Sequence, residues 1–155
     1  MKFFQIVAIV STLFLSVFAQ AGKLTAEGGW VRAVPPVSKN TAAYLTLKNG
    51  SKKDEVLLHL SSKAAKHTEL HTIVVEPNGA KKMQKMPHAT IKAGTELEMK
   101  PGGYHVMLID LVKPLKEGDT VELEFIFQHA GKLSLSLPVK MSEDKAEGGH
   151  HHHHH

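Results

Sequence analysis

The amino-acid sequence predicts an all-β protein, an antiparallel β-sandwich of Greek-key type. Short segments of alternating apolar and polar residues recur with turn signals at intervals of about 8–12 residues. No stretch keeps a 3.6-residue apolar period over three helical turns. Together these features fit two antiparallel layers closing on one core.

The elements follow in order. Residues 41–48 place Ala43, Leu45 and Leu47 on one face, and Asn49-Gly50 reads as a hairpin turn. Residues 54–60 form the next strand. Residues 68–76 are rich in β-branched side chains and stop at Pro77-Asn78-Gly79, and residues 81–86 make a short return strand. Residues 95–99 alternate, which makes Met99 a core residue. Pro101-Gly102-Gly103 is a tight turn, and residues 104–111 form an apolar run suited to a strand covered on both faces. A polar loop over 114–119 leads to an alternating strand at 120–127. Gly131 turns the chain into the last strand, residues 132–140. The expectation is eight or nine strands, with Trp30 as a core or rim aromatic.

The ends are of another kind. Residues 1–21 carry a positive Lys2, an apolar stretch and Ala19-Gln20-Ala21, the pattern of a secretory signal peptide cleaved after Ala21. Six terminal histidines after Gly148-Gly149 read as an expression tag, and residues 142–155 as a disordered tail. The domain is therefore residues 22–141, long enough to bury a core. Export implies the periplasm, with no stable membrane insertion once the signal is removed.

Composition excludes several functions. The net charge is +4, but the lysines are scattered and Arg32 is the one arginine, so the clustered cations and stacking aromatics of a nucleic-acid binder are missing. The chain has no cysteine. No disulfide can staple it, and a soft-metal site must be built from thioether and imidazole without thiolate. That also excludes blue-copper electron transfer, which needs a cysteine ligand. No Ser/His/Asp motif or phosphate loop argues for an enzyme.

His105 and Met107 carry the chemistry. Two residues apart in a strand, they share a face with Cα atoms about 6.6 Å apart, close enough to converge on one ion. Imidazole with thioether favours Cu(I) over harder cations. The second pair is His71 with Met83, on the two arms beside the Pro77-Asn78-Gly79 turn. His71 is expected to face Met83 or Met86, depending on register. His59, His67, His88 and His129 are expected at the surface or rim.

Glu69-Leu70-His71, then Met83, then Ile91-Lys92-Ala93-Gly94, then Pro101-Gly102-Gly103-Tyr104-His105-Val106-Met107, then Lys113-Pro114-Leu115-Lys116-Glu117-Gly118-Asp119 resemble the bacterial periplasmic copper chaperones called PCuAC. That family's motif is a His, ten residues, a Met, twenty-one residues, then His-x-Met. Here twenty-one residues separate Met83 from His105, but eleven separate His71 from Met83. The extra residue falls at the Pro77-Asn78-Gly79 turn; Met86 is the alternative methionine but breaks the spacing to His105. The resemblance implies a cupredoxin-like sandwich and a Cu(I) site of His71, Met83, His105 and Met107. It implies delivery of copper to the apo copper domain of cytochrome c oxidase or to another assembly chaperone. The alternative is a copper scavenging or resistance protein with the same site and no oxidase partner.

Overall fold

The computed structural model describes residues 24–141, so the signal-peptide and tail expectations lie outside the described residues. Ten strands follow one another: β1 (Leu24–Arg32), β2 (Asn40–Asn49), β3 (Glu55–Ser61), β4 (Ala65–Val75), β5 (Lys81–Lys85), β6 (Ala89–Ile91), β7 (Glu96–Met99), β8 (His105–Leu111), β9 (Thr120–Phe127) and β10 (Gly131–Lys140). Among the described residues there is no helix.

Hydrogen bonding runs β5-β4-β8-β2-β1-β10-β9-β3-β6, with β7 also on β2. The path folds over on itself, so that β5-β4-β8-β2-β1 faces β10-β9-β3-β6 across one core. Leu45, Leu47, Leu70, Val106 and Leu108 from the first layer meet Leu57, Leu123, Phe125, Phe127 and Val139 from the second. This is the expected cupredoxin-like Greek-key sandwich, open at β5 and β6. Burying these side chains is its main source of stability, because there is no covalent staple.

The strands number ten where eight or nine were expected, with β1 and β6 the additions, and three further details depart from the expectation. The two layers join through a parallel pairing, Val31↔Val139 and Arg32↔Lys140, between the first and last described strands. Asn49-Gly50 is not a hairpin: β2 pairs with β1, β7 and β8, while β3 lies in the other layer. Asn49 is 1% exposed, and its side-chain amide donates to the carbonyls of Lys53 and Ile91. A buried asparagine satisfied in this way organises a crossing between layers, so the hairpin signal is overridden. Finally, β8 is covered unequally. Val106 and Leu108 are fully buried against the core, while Met107 and Ile109 on the other face are half-buried.

The bulge in β1 matters most for what lies on the outer face. Before it, Leu24 is in the core and Ala26 packs against it; after it, Val31 is in the core and Trp30 is not. The register of β1 against β2 shifts between Glu27 and Trp30, at Gly28-Gly29. Gly28 has φ +62°, and a Cβ on Gly29 would stand 2.3 Å from Leu137 Cδ2. An unbranched backbone is needed for both the left-handed turn and the close approach. The inserted residue changes the parity of the strand, and Trp30 and Arg32 turn outward beside Tyr44.

Candidate metal centre

The centre lies on the outer face of the first layer, built by three adjacent strands. Glu69 and His71 of β4 and His105 and Met107 of β8 point away from the core, because Leu70, Val106 and Leu108 between and beside them point into it. His71 lies directly opposite His105 across the β4–β8 ladder, and Glu69 opposite Met107. The two imidazole rings are 5.9 Å apart between centroids and tilted by 53°. Two imidazoles sharing an ion through metal–nitrogen bonds of about 2 Å stand at about this spacing.

The β4–β5 register corrects the hairpin expectation. His71 faces Lys85, and Met83 faces Ile73, one step further along the same side. The turn runs from Glu76 to Ala80: the Gly79 N–H donates to the Glu76 carbonyl and the Ala80 N–H to Asn78 Oδ1. Met83 is 54% exposed and lines a cleft of about 320 Å³ together with His105, Met107, Tyr44 and Arg32. Met86 goes elsewhere: it packs against the core between the layers, and its N–H donates to the Leu70 carbonyl.

β7 and β8 share one edge of β2 end to end, β8 pairing with residues 40–43 and β7 with residues 45–48. The turn between them carries Pro101 and Gly102 onto the cleft rim. It also brings the Gly103 carbonyl to 2.9 Å from His105 Nδ1. Met107 packs against Trp30, Ala42 and Tyr44, whose aromatic rings are 4.9 Å apart. The Arg32 guanidinium lies 5.3 Å from the Tyr44 ring centre. Burial raises the Tyr44 phenol above its ordinary value, partly offset by Arg32.

The hydrogen bonds of the two histidines are one-sided. His71 Nε2 lies 2.9 Å from Glu69 Oε2, and Lys85 Nζ lies 2.6 Å from Glu69 Oε1. The hydrogen bonds from His71 and Lys85 hold the Glu69 carboxyl below its ordinary range. The other ring nitrogens, His71 Nδ1 and His105 Nε2, are buried with no hydrogen-bond partner. An unpaired buried polar atom costs about 1–3 kcal/mol, and two of them sit on rings whose centroids are 5.9 Å apart, a pair that suits an acceptor of lone pairs. Among the described residues no group of three or more His, Asp or Glu is arranged to hold a metal. The residues fit Cu(I): two imidazoles, two neighbouring methionines, no thiolate, and a carboxylate already engaged on both oxygens.

His59, His67 and His88 line a separate cleft of about 400 Å³ between β3 and β4. Sequence reasoning named four candidate donors and left out the groups around them: Glu69, the Gly103 carbonyl and the Trp30–Tyr44 wall. The alternation Glu69-x-His71 was the available signal, because residues two apart in a strand share a face.

The fold and this cluster define a class: a small cupredoxin-like sandwich of the PCuAC type with an outward-facing imidazole–thioether site. The chain belongs to the LpqE-like family, whose sequence profile matches residues 24–139. It is 33% identical over 122 residues to Lxx21020 of Leifsonia xyli subsp. xyli, which is named as a lipoprotein, covering 78% of this chain and 72% of that protein. Among solved structures it is similar to the Cu(I) form of DR1885 from Deinococcus radiodurans, with TM-score 0.63, 35% identity, and coverage of 81% of this chain and 83% of that one. The fold is also shared with the copper-bound PCuAC domain of PmoF2, with TM-score 0.66, 21% identity, and coverage of 78% and 95%.

Proposed function

We propose that this protein is an exported Cu(I) carrier, acting without turnover chemistry. His71 Nδ1, His105 Nε2 and the sulfurs of Met83 and Met107 hold the ion. The observation that carries the reading is the pair of buried, unpartnered imidazole nitrogens on facing residues His71 and His105, the second of which shares a cleft with Met83 and Met107. The copper named in the DR1885 and PmoF2 structures supports the choice of metal. The site suits delivery because it is shallow. Met83 is exposed, so an acceptor can displace one thioether while the other three donors still hold the ion. We further propose the periplasm as its location, from the secretory pattern of residues 1–21. The acceptor is the apo copper domain of cytochrome c oxidase or an assembly chaperone upstream of it.

Anaerobic titration of tag-free protein against a competing chelator should give one Cu(I) per chain, with mixed sulfur and nitrogen scattering in X-ray absorption. A spectrum of nitrogen and oxygen neighbours alone would refute the site. Mixing the loaded protein with an apo oxidase copper domain should move copper to the oxidase. Retention of the metal would leave a scavenging protein in place of a carrier.

A further inference from the structure

We propose that Glu69 is the positioning residue of the metal centre, locking the His71 ring so that Nδ1 faces the donor cluster. The inference rests on the carrier reading above. A strand histidine can present either ring nitrogen, and each nitrogen can carry the proton. Only one combination gives a lone pair at the ion. An ionised carboxylate is an acceptor only, so at 2.9 Å from Glu69 Oε2 it is Nε2 that holds the proton, and Nδ1 presents the lone pair. Nδ1 is also the atom left buried and unpartnered.

The placement of Glu69 follows from the ladder. It lies two residues before His71 on the same face and directly opposite Met107. A free carboxylate there would itself be a hard-oxygen ligand beside the thioether. Both oxygens are engaged: Oε2 by His71, and Oε1 by Lys85, which faces His71 from β5. The carboxylate is thus held from two sides, by the His71 ring and by the Lys85 ammonium. His105 is oriented by a backbone oxygen, that of Gly103, so no side-chain substitution removes its acceptor. Among the described residues, Glu69 is the one side chain hydrogen-bonded to a ring nitrogen of His71 or His105. Partners of this kind change metal affinity by about 10–100-fold.

The test reads the apo protein first. Nitrogen-15 NMR of tag-free apo protein at neutral pH should show His71 protonated at Nε2, with a ring N–H proton protected from solvent exchange. In Glu69→Ala that proton signal should be lost, and Cu(I) affinity by chelator competition should fall 10–100-fold. Glu69→Gln keeps a carbonyl acceptor and should restore the ring proton and most of the affinity. Lys85→Met should keep the ring proton and change affinity less than threefold, because the Lys85 ammonium is largely solvated. A wild-type His71 protonated at Nδ1 would overturn the proposal, even if Glu69→Ala failed to fold. So would a protected ring proton, or affinity within twofold of wild type, in Glu69→Ala. Absence of Cu(I) binding by the wild type would sink the carrier reading instead, and the apo spectrum would still decide the role of Glu69.

Discussion

Met83 and Met86 are three residues apart, and the structure gives them opposite surroundings. Met83 is 54% exposed on the outer face, lining the cleft with His105 and Met107. Met86 is turned inward and packs against the core. Truncation to alanine should therefore separate stability from copper binding. A buried Met→Ala change costs about 2–5 kcal/mol, and Met86 is only partly buried, so about 2 kcal/mol is expected. For a domain of this size that lowers the melting temperature by about 8 °C. Met83→Ala removes an exposed side chain and should stay within about 0.5 kcal/mol of wild type. The order reverses for Cu(I). Met83→Ala deletes one of four donors and should weaken binding by about tenfold or more, which is about 1.4 kcal/mol. Met86→Ala should leave the affinity of the folded protein within about threefold of wild type. The assays are thermal unfolding of the apo variants by circular dichroism, then anaerobic chelator competition at a temperature where both are folded. A larger copper defect in Met86→Ala than in Met83→Ala would refute the assignment of Met83. It would also mean that the extra residue in the Glu76–Ala80 turn had moved the site.

Two further perturbations test the fold around the centre. Gly29→Ala puts a methyl group 2.3 Å from Leu137 Cδ2, where the bulge of β1 meets β10, and should destabilise by about 1–3 kcal/mol as read by urea unfolding. Full wild-type stability in that variant would contradict the close approach. The Asp54 carboxylate accepts from Lys92 Nζ at 2.8 Å and from the Ala93 N–H at 2.9 Å, and these bonds lower its pKa below the ordinary 3.8. A lowered carboxylate stabilises the fold above its unfolded value and loses that contribution as pH falls through its folded value. The stability difference between wild type and Asp54→Asn should therefore be constant near neutrality and shrink below the ordinary aspartate value; a difference that grows on acidification would contradict it.

Much of this protein is legible in its residues because a strand writes its burial locally. Alternation in residues 41–48 and 120–127 marks which side chains go inward, and β2 and β9 bury those side chains. The same period of two places His105 and Met107 on one face, since that depends only on their own strand. Partnership between strands is not local, and only the tertiary structure decides it. His71 meets His105 across β4–β8, two strands separated in sequence by β5, β6 and β7. The β4–β5 turn sets Lys85, not Met83, opposite His71, because register depends on how the Glu76–Ala80 turn closes. Asn49-Gly50 carries a hairpin signal, yet burial of the Asn49 amide against Ile91 sends the chain across to the other layer. The Gly28-Gly29 bulge reverses the parity of β1, so alternation counted through it places Trp30 on the wrong face. The sequence by itself determined most of the strands, their apolar faces and the supply of soft donors without thiolate. Which of these side chains come together, His71 with His105 above all, was decided by pairings between residues far apart in the chain, where loop closure, packing and hydrogen bonding act together.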